Sequence, residues 1–155
     1  MERQPTGGFK PPRFLGHPLH PMLTDFPLAL WSMSLLGDLA GVAMGDEFFH
    51  RCAFWLVVSG LVMAVPAIAT GLLEFAGIAD DHPALKPATW HMWIMLCATT
   101  LFGCSLVFRV GKIASSTGAL WAAIGCSALG VALLIVGGWF GGELVFRHGI
   151  GSRAR

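Results

Sequence analysis

Tyrosine is absent from this chain of 155 residues, and charge is scarce: Asp, Glu, Lys and Arg together make up 12%. The first absence removes tyrosyl-radical and phenol chemistry from the candidate activities. The second argues against an ordinary soluble domain, which carries about 25% charged residues. A net charge of +1 leaves no basic footprint for nucleic acid. The four cysteines, Cys52, Cys97, Cys104 and Cys126, form no C-x-x-C pair and all fall in apolar stretches. They are expected to be small buried apolar residues. No cleavable leader is evident, because the first apolar run lacks a small-residue cleavage site and residues 1–13 are polar and rich in Pro and Gly.

What the chain has instead is apolar length. It is 55% hydrophobic, with a mean hydropathy of +0.68. A membrane helix needs about 20 mostly apolar residues. Four windows qualify, at about 22–44, 52–75, 90–108 and 118–142, joined by polar links at 45–51, 76–89 and 109–117. Helix is the expectation for each window, since in hydrocarbon a segment must satisfy its own backbone polar groups. Trp55, Trp90, Trp93, Trp121 and Trp139 lie near window ends, as interfacial belts require. Pro27 and Pro66 are expected to kink their helices, and Pro83 and Pro87 to keep the second link out of helix. The fold class is therefore all-α, an integral membrane four-helix bundle running up-down-up-down with both termini on one side. A polar tail (1–15) precedes a single domain (16–151), and a short tail (152–155) follows it. The side holding the termini and the second link carries seven Lys or Arg against three on the other, which favours termini in the cytoplasm.

That topology gathers chemistry. His17 and His20 open the first window within Gly16-His17-Pro18-Leu19-His20-Pro21, and the prolines bias both histidines toward extended backbone. Glu74 closes the second window, His91 opens the third, and Glu143 and His148 close the fourth. Asp25 lies one turn into the first helix. Carboxylates at helix C-termini oppose the macrodipole, so Glu74 and Glu143 suit either solvent or a shared cation. His82 and His50 are expected to face solvent. Asp38 lies 13 residues beyond Asp25, about 20 Å along a helix axis, and is expected to make an interhelix hydrogen bond or serve a proton path. The run Gly137-Gly138-Trp139-Phe140-Gly141-Gly142 holds two overlapping G-x-x-x-G patterns, which permit close packing, self-association or room for a cofactor.

Two chemistries fit a layer of imidazoles and carboxylates. Two of His17, His20, His91 and His148 could ligate the iron of haem b inside an apolar bundle, with Arg147, Arg13 or Lys86 near the propionates. Alternatively, histidines with Asp25, Glu74 and Glu143 could bind an Fe, Mn or Zn ion for hydrolytic or oxidative chemistry. A third possibility is non-catalytic: an assembly subunit whose polar layer is an interhelix hydrogen-bond network.

The opening Gly16-His17-Pro18-Leu19-His20-Pro21-Met22-Leu23, followed by Asp25-Phe26-Pro27, resembles the first signature of the DUF2231 family of predicted bacterial membrane proteins. The closing Gly141-Gly142-Glu143-Leu144-Val145-Phe146-Arg147-His148-Gly149 is similar to its end motif, and His91-Met92 to its third-helix element. The resemblance implies a small helical membrane bundle with His17, His20, His91 and His148 as site residues. Fusions of relatives to Rieske iron–sulfur or c-type cytochrome domains imply a place in electron transfer. The expectation is a multi-pass redox subunit of the bacterial inner membrane. It would exchange electrons between a quinone-like donor and a protein partner, as a homo-oligomer or part of a larger complex.

Overall fold

The computed structural model describes residues 13–110 and 116–151. Four helices carry the chain: α1 (Leu19–Met44), α2 (Glu47–Ala76), α3 (Leu85–Phe108) and α4 (Thr117–His148). Each is long and apolar enough to cross a membrane, and together they form an all-α four-helix bundle. A two-stranded antiparallel ribbon, β1 (Arg13–Phe14) with β2 (His17–Pro18), precedes α1. Leu15 and Gly16 close it with φ of 49° and 81°, the double left-handed turn that suits tight hairpins.

The helices run further than hydropathy alone predicts. Asp46 caps α2, its carboxylate accepting from the Phe48 N–H at 2.8 Å, and Ser116 caps α4 by accepting from Ala119 N–H at 3.1 Å. Gly45 (φ 66°) and Gly149 (φ 69°) end α1 and α4 in the left-handed conformation. Pro87, expected in the link, instead sits in the first turn of α3. Proline is tolerated there because the first N–H groups of a helix have no internal partner. For the same reason Pro21 lies in the first turn of α1, and His20 is helical rather than extended.

Packing is closest within α1–α2 and within α3–α4, and sparser between the two hairpins. The hairpins repeat one another. A spacing of 71 residues takes His20 to His91, Trp31 to Phe102, Ser34 to Ser105 and Asp38 to Arg109. A spacing of 70 takes Ala53 to Ala123, Gly60 to Gly130 and Gly71 to Gly141. Equivalents also meet each other. The His20 and His91 rings are 6.3 Å apart, Trp31 stacks on Phe102 at 4.4 Å, and Arg109 pairs with Asp38. A residue that touches its own counterpart lies on a twofold axis, so an approximate twofold runs along the bundle between the hairpins.

The middle layer is the core. Trp31 and Phe102 are fully buried and nearly parallel, 7° apart. Gly60 and Gly130 lie under them; a Cβ on Gly60 would collide with the indole, and one on Gly130 would stand 2.6 Å from the Phe102 ring. At one end, Asp38 is fully buried and accepts from both terminal nitrogens of Arg109 (2.9 Å to Oδ1) and from His50 Nδ1 at 3.1 Å. Arg109 Nε also donates to Ser105 Oγ at 3.2 Å. Asp38 thus makes its interhelix bond to an arginine rather than a hydroxyl. His50, expected in solvent, is half-buried against it. The cysteine expectation fails: Cys97 and Cys104 are exposed on the outer face of α3, and Cys52 and Cys126 are only half-buried. A thiol is small and weakly polar, so a lipid-facing position costs it little.

Removing one partner of a buried pair strands the other charge. Asp38→Leu should destabilise the bundle by about 3–5 kcal/mol. Adding Arg109→Leu should recover most of that loss. Unfolding of the single and double variants in mixed detergent micelles measures both.

Candidate functional site

At the opposite end of the twofold, the imidazoles of α1 and α3 face each other. His20 sits in the first turn of α1, where Pro21 leaves the entry rigid; His91 sits in the second turn of α3. Each ring crosses to the other helix of its own hairpin. His20 Nδ1 is 2.8 Å from the carbonyl of Ala67, and His91 Nδ1 is 2.8 Å from the carbonyl of Gly137. A carbonyl only accepts, so each Nδ1 donates its proton. In the neutral ring Nε2 then carries the lone pair, which is the state of a metal-ligating imidazole with an oriented second nitrogen.

Glycine makes this geometry possible. A Cβ on Gly71 would stand 2.6 Å from His20 Cε1, and one on Gly141 would stand 3.1 Å from His91 Cε1. Both rings therefore lie directly on a helix backbone. Gly141 shows one use of the overlapping G-x-x-x-G patterns: Gly137 and Gly141 admit Met95 and His91 from α3, while nothing from another helix covers Gly138 or Gly142.

The pair borders a cavity of roughly 280 Å³ that all four helices line. Small-molecule pockets span about 300–1,000 Å³, so this one lies near the lower end. Its walls are apolar, among them Pro27, Leu28, Ile68, Met95 and Leu96, and Trp31 closes the deep end. Trp31 lies 11 residues beyond His20, about 16 Å down the helix.

The ring spacing can be set against coordination geometry. Metal–imidazole bonds of about 2 Å, with each ring centre about 1.1 Å behind its nitrogen, place the centres of two axial imidazoles about 6 Å apart. The observed centres are 6.3 Å apart with 86° between ring planes, a separation that two imidazoles sharing one metal would also have. Spacing alone does not suffice. His82 and His148 also lie 6.2 Å apart, yet His82 Nδ1 accepts from the Ala84 N–H at 3.1 Å. Its neutral ring therefore carries the proton on Nε2, the wrong tautomer for ligation through that atom.

The layer expected at this end is thus divided. The structure brings together His20 and His91. His17 is exposed on β2, and His148 stands beside His82 rather than in the cavity lining. Glu74 lines the cavity mouth near Pro21 and Gly151. Glu143 instead pairs with Arg147 along α4 at 3.0 Å, and Asp25 is exposed. Lys86 is exposed as well, and the Arg13 side chain lies outside the described residues. Among the described residues, no three His, Cys, Asp or Glu side chains converge on a point that could hold an ion. The carbonyls of Ala67 and Gly137 and the glycines beneath the rings were not anticipated from sequence. The 71- and 70-residue spacings are the signal that would have revealed them.

The family model of predicted membrane proteins designated DUF2231 matches residues 16–154. No curated protein and no solved structure matches the chain.

Gly71→Ala should push the His20 ring off its carbonyl and destabilise the protein by about 1–3 kcal/mol, the usual cost of overpacking. Gly125→Ala, where a Cβ meets nothing within 4 Å, should be neutral or slightly stabilising. Thermal unfolding in one detergent compares the two directly.

Proposed function

The chain belongs to the DUF2231 family of predicted membrane proteins, and from its paired imidazoles we propose that it is a redox subunit holding haem b between His20 and His91. The observation that carries the reading is the pair itself. Two half-buried rings on the twofold axis each have Nδ1 donated to a main-chain carbonyl, with centres 6.3 Å apart. Haem iron with two protein ligands needs no acid; Glu143 and Asp25 are absent from the cavity lining, and its one carboxylate, Glu74, stands at the mouth.

His20 and His91 would hold the haem iron. The carbonyls of Ala67 and Gly137 fix the proton on each Nδ1 and orient the rings. Gly71 and Gly141 give the rings room between apolar walls. When bound, the group would supply one-electron transfer. The proposed setting is the bacterial inner membrane, with this end of the bundle toward the cytoplasm. A quinone-like donor and a Rieske- or c-type-cytochrome-like acceptor are the proposed partners. Gly142, which nothing from another helix covers and which is outside the cavity lining, offers a contact for a second copy or another subunit.

One other reading draws on the same hydrogen bonds. As ties between helices, they suit an assembly subunit with no cofactor. A non-haem Fe, Mn or Zn site is less well supported, because an ion at His20 and His91 takes its remaining ligands from outside the described protein groups.

Protein purified from haem-replete cells should show a Soret shift on reduction, with iron and haem at equal stoichiometry. His20→Ala or His91→Ala should abolish it; His17→Ala and His148→Ala should retain it. A folded protein with no Soret change after haem reconstitution overturns the haem reading. Stoichiometric zinc, manganese or non-haem iron by elemental analysis would replace it with the ion reading.

A further inference from the structure

We infer that the vestibule at the other end of the bundle is a second site, taking the neutral hydroxy-aromatic head of a membrane-soluble quinol, with His50 as its hydrogen-bond acceptor. The vestibule, roughly 650 Å³, is bordered by α2, the end of α3 and the start of α4. It lies at the ends of the spans, where a lipid-borne molecule presents its head.

Asp38 and Arg109 need nothing further to neutralise each other. His50 is therefore an addition to the pair, and its geometry is specific. The buried carboxylate accepts from Nδ1 at 3.1 Å, so Nδ1 holds the proton and Nε2 of the neutral ring holds the lone pair. The ring is pinned against Gly41, where a Cβ would stand 2.7 Å away. The His50 side chain is 21% exposed and lines the vestibule. A carboxylate-oriented imidazole of this kind is the arrangement used to accept a proton from a hydroxyl.

The surroundings select the ligand class. Phe54, Trp55 and Phe108 present rings for stacking on a flat head. Among the described residues the charges at the site balance, Arg51 and Arg109 against Glu47 and Asp38. That balance offers an anionic phosphate headgroup no net attraction, and a neutral head no penalty. The site is independent of the haem reading, since it shares no residue with the histidine cavity.

The probe is 2-heptyl-4-hydroxyquinoline N-oxide, a fluorescent quinol analogue, titrated into the protein in phosphatidylcholine nanodiscs. The expected result is saturable quenching near one equivalent, displaced by decylubiquinol. His50→Leu should weaken binding at least tenfold, and His148→Ala, outside both cavities, should leave it unchanged. Trp55→Ala, on a wall that is 65% exposed, should weaken it severalfold and keeps the test informative if His50→Leu misfolds. Absence of saturable quenching overturns the proposal. So does loss in His20→Ala with retention in His50→Leu, which places the probe in the histidine cavity. Displacement by phosphatidylglycerol but not by decylubiquinol also overturns it, and marks an anionic-lipid site.

Discussion

A ring can come directly against a helix backbone only where the helix lacks a Cβ, and glycine gaps on α2 and α4 organise this bundle. Gly71 and Gly60 on α2 receive His20 and Trp31 from α1; Gly141 and Gly130 on α4 receive His91 and Phe102 from α3. The spacing is the same throughout: 11 residues from His20 to Trp31, from His91 to Phe102, and between the glycines of each pair. Eleven residues make three turns, so both rings of a helix share one face and both glycines share the face opposite. Close approach within each hairpin follows. The rings then project past their partner helix toward the axis, where the two hairpins meet ring to ring.

The twofold is broken in one informative place. Asp38 and Arg109 occupy equivalent positions, so a hairpin facing a copy of itself would set acid against acid or base against base in a buried layer. Only the pairing of α1–α2 with α3–α4 neutralises both, and the cost of stranding either charge enforces it. Ser105 and Ser127 complete the layer on one side only: Ser105 accepts from Arg109 Nε, and the two hydroxyls lie 2.9 Å apart. One end of the axis is therefore polar, charged and asymmetric. The other keeps two like imidazoles in an apolar enclosure. A common ancestry of the halves would explain the framework, but the chemistry at each end depends on what has diverged from it.

Hydropathy was enough to find four spans, because a run of apolar residues in lipid has few alternatives to helix. It was a poorer guide to where they end. Pro87 reads as a breaker, yet it sits where a helix has N–H groups to spare. Counting along the spans assigns helix ends a height, but height along an axis says nothing about direction around it. That is why His17, His148, Glu143 and Asp25 were drawn into a layer with His20 and His91, when only the latter two turn inward together. The repeat is faint in the sequence because its identical pairs are few and widely spaced, and its most telling equivalents differ. Tryptophan matches phenylalanine, and aspartate matches arginine. Arg109 looked like a link residue one step past the third span, so nothing in the sequence offered Asp38 a cation.

Why the two imidazoles are there at all turns on which group needs the other. The carbonyls of Ala67 and Gly137 lie inside regular helices and already receive the ordinary main-chain hydrogen bond; Ala67 O also accepts from Thr70 Oγ1 at 3.0 Å. Neither carbonyl requires an imidazole to be satisfied. A third donor adds little to it, and a serine or threonine would supply one with less disturbance to packing. Dependence runs the other way: the rings need the carbonyls, which set the proton on Nδ1 and hold the plane. The Nε2 lone pairs stay outside these bonds, one from each half of the chain, and the haem reading proposed above would use both as ligands.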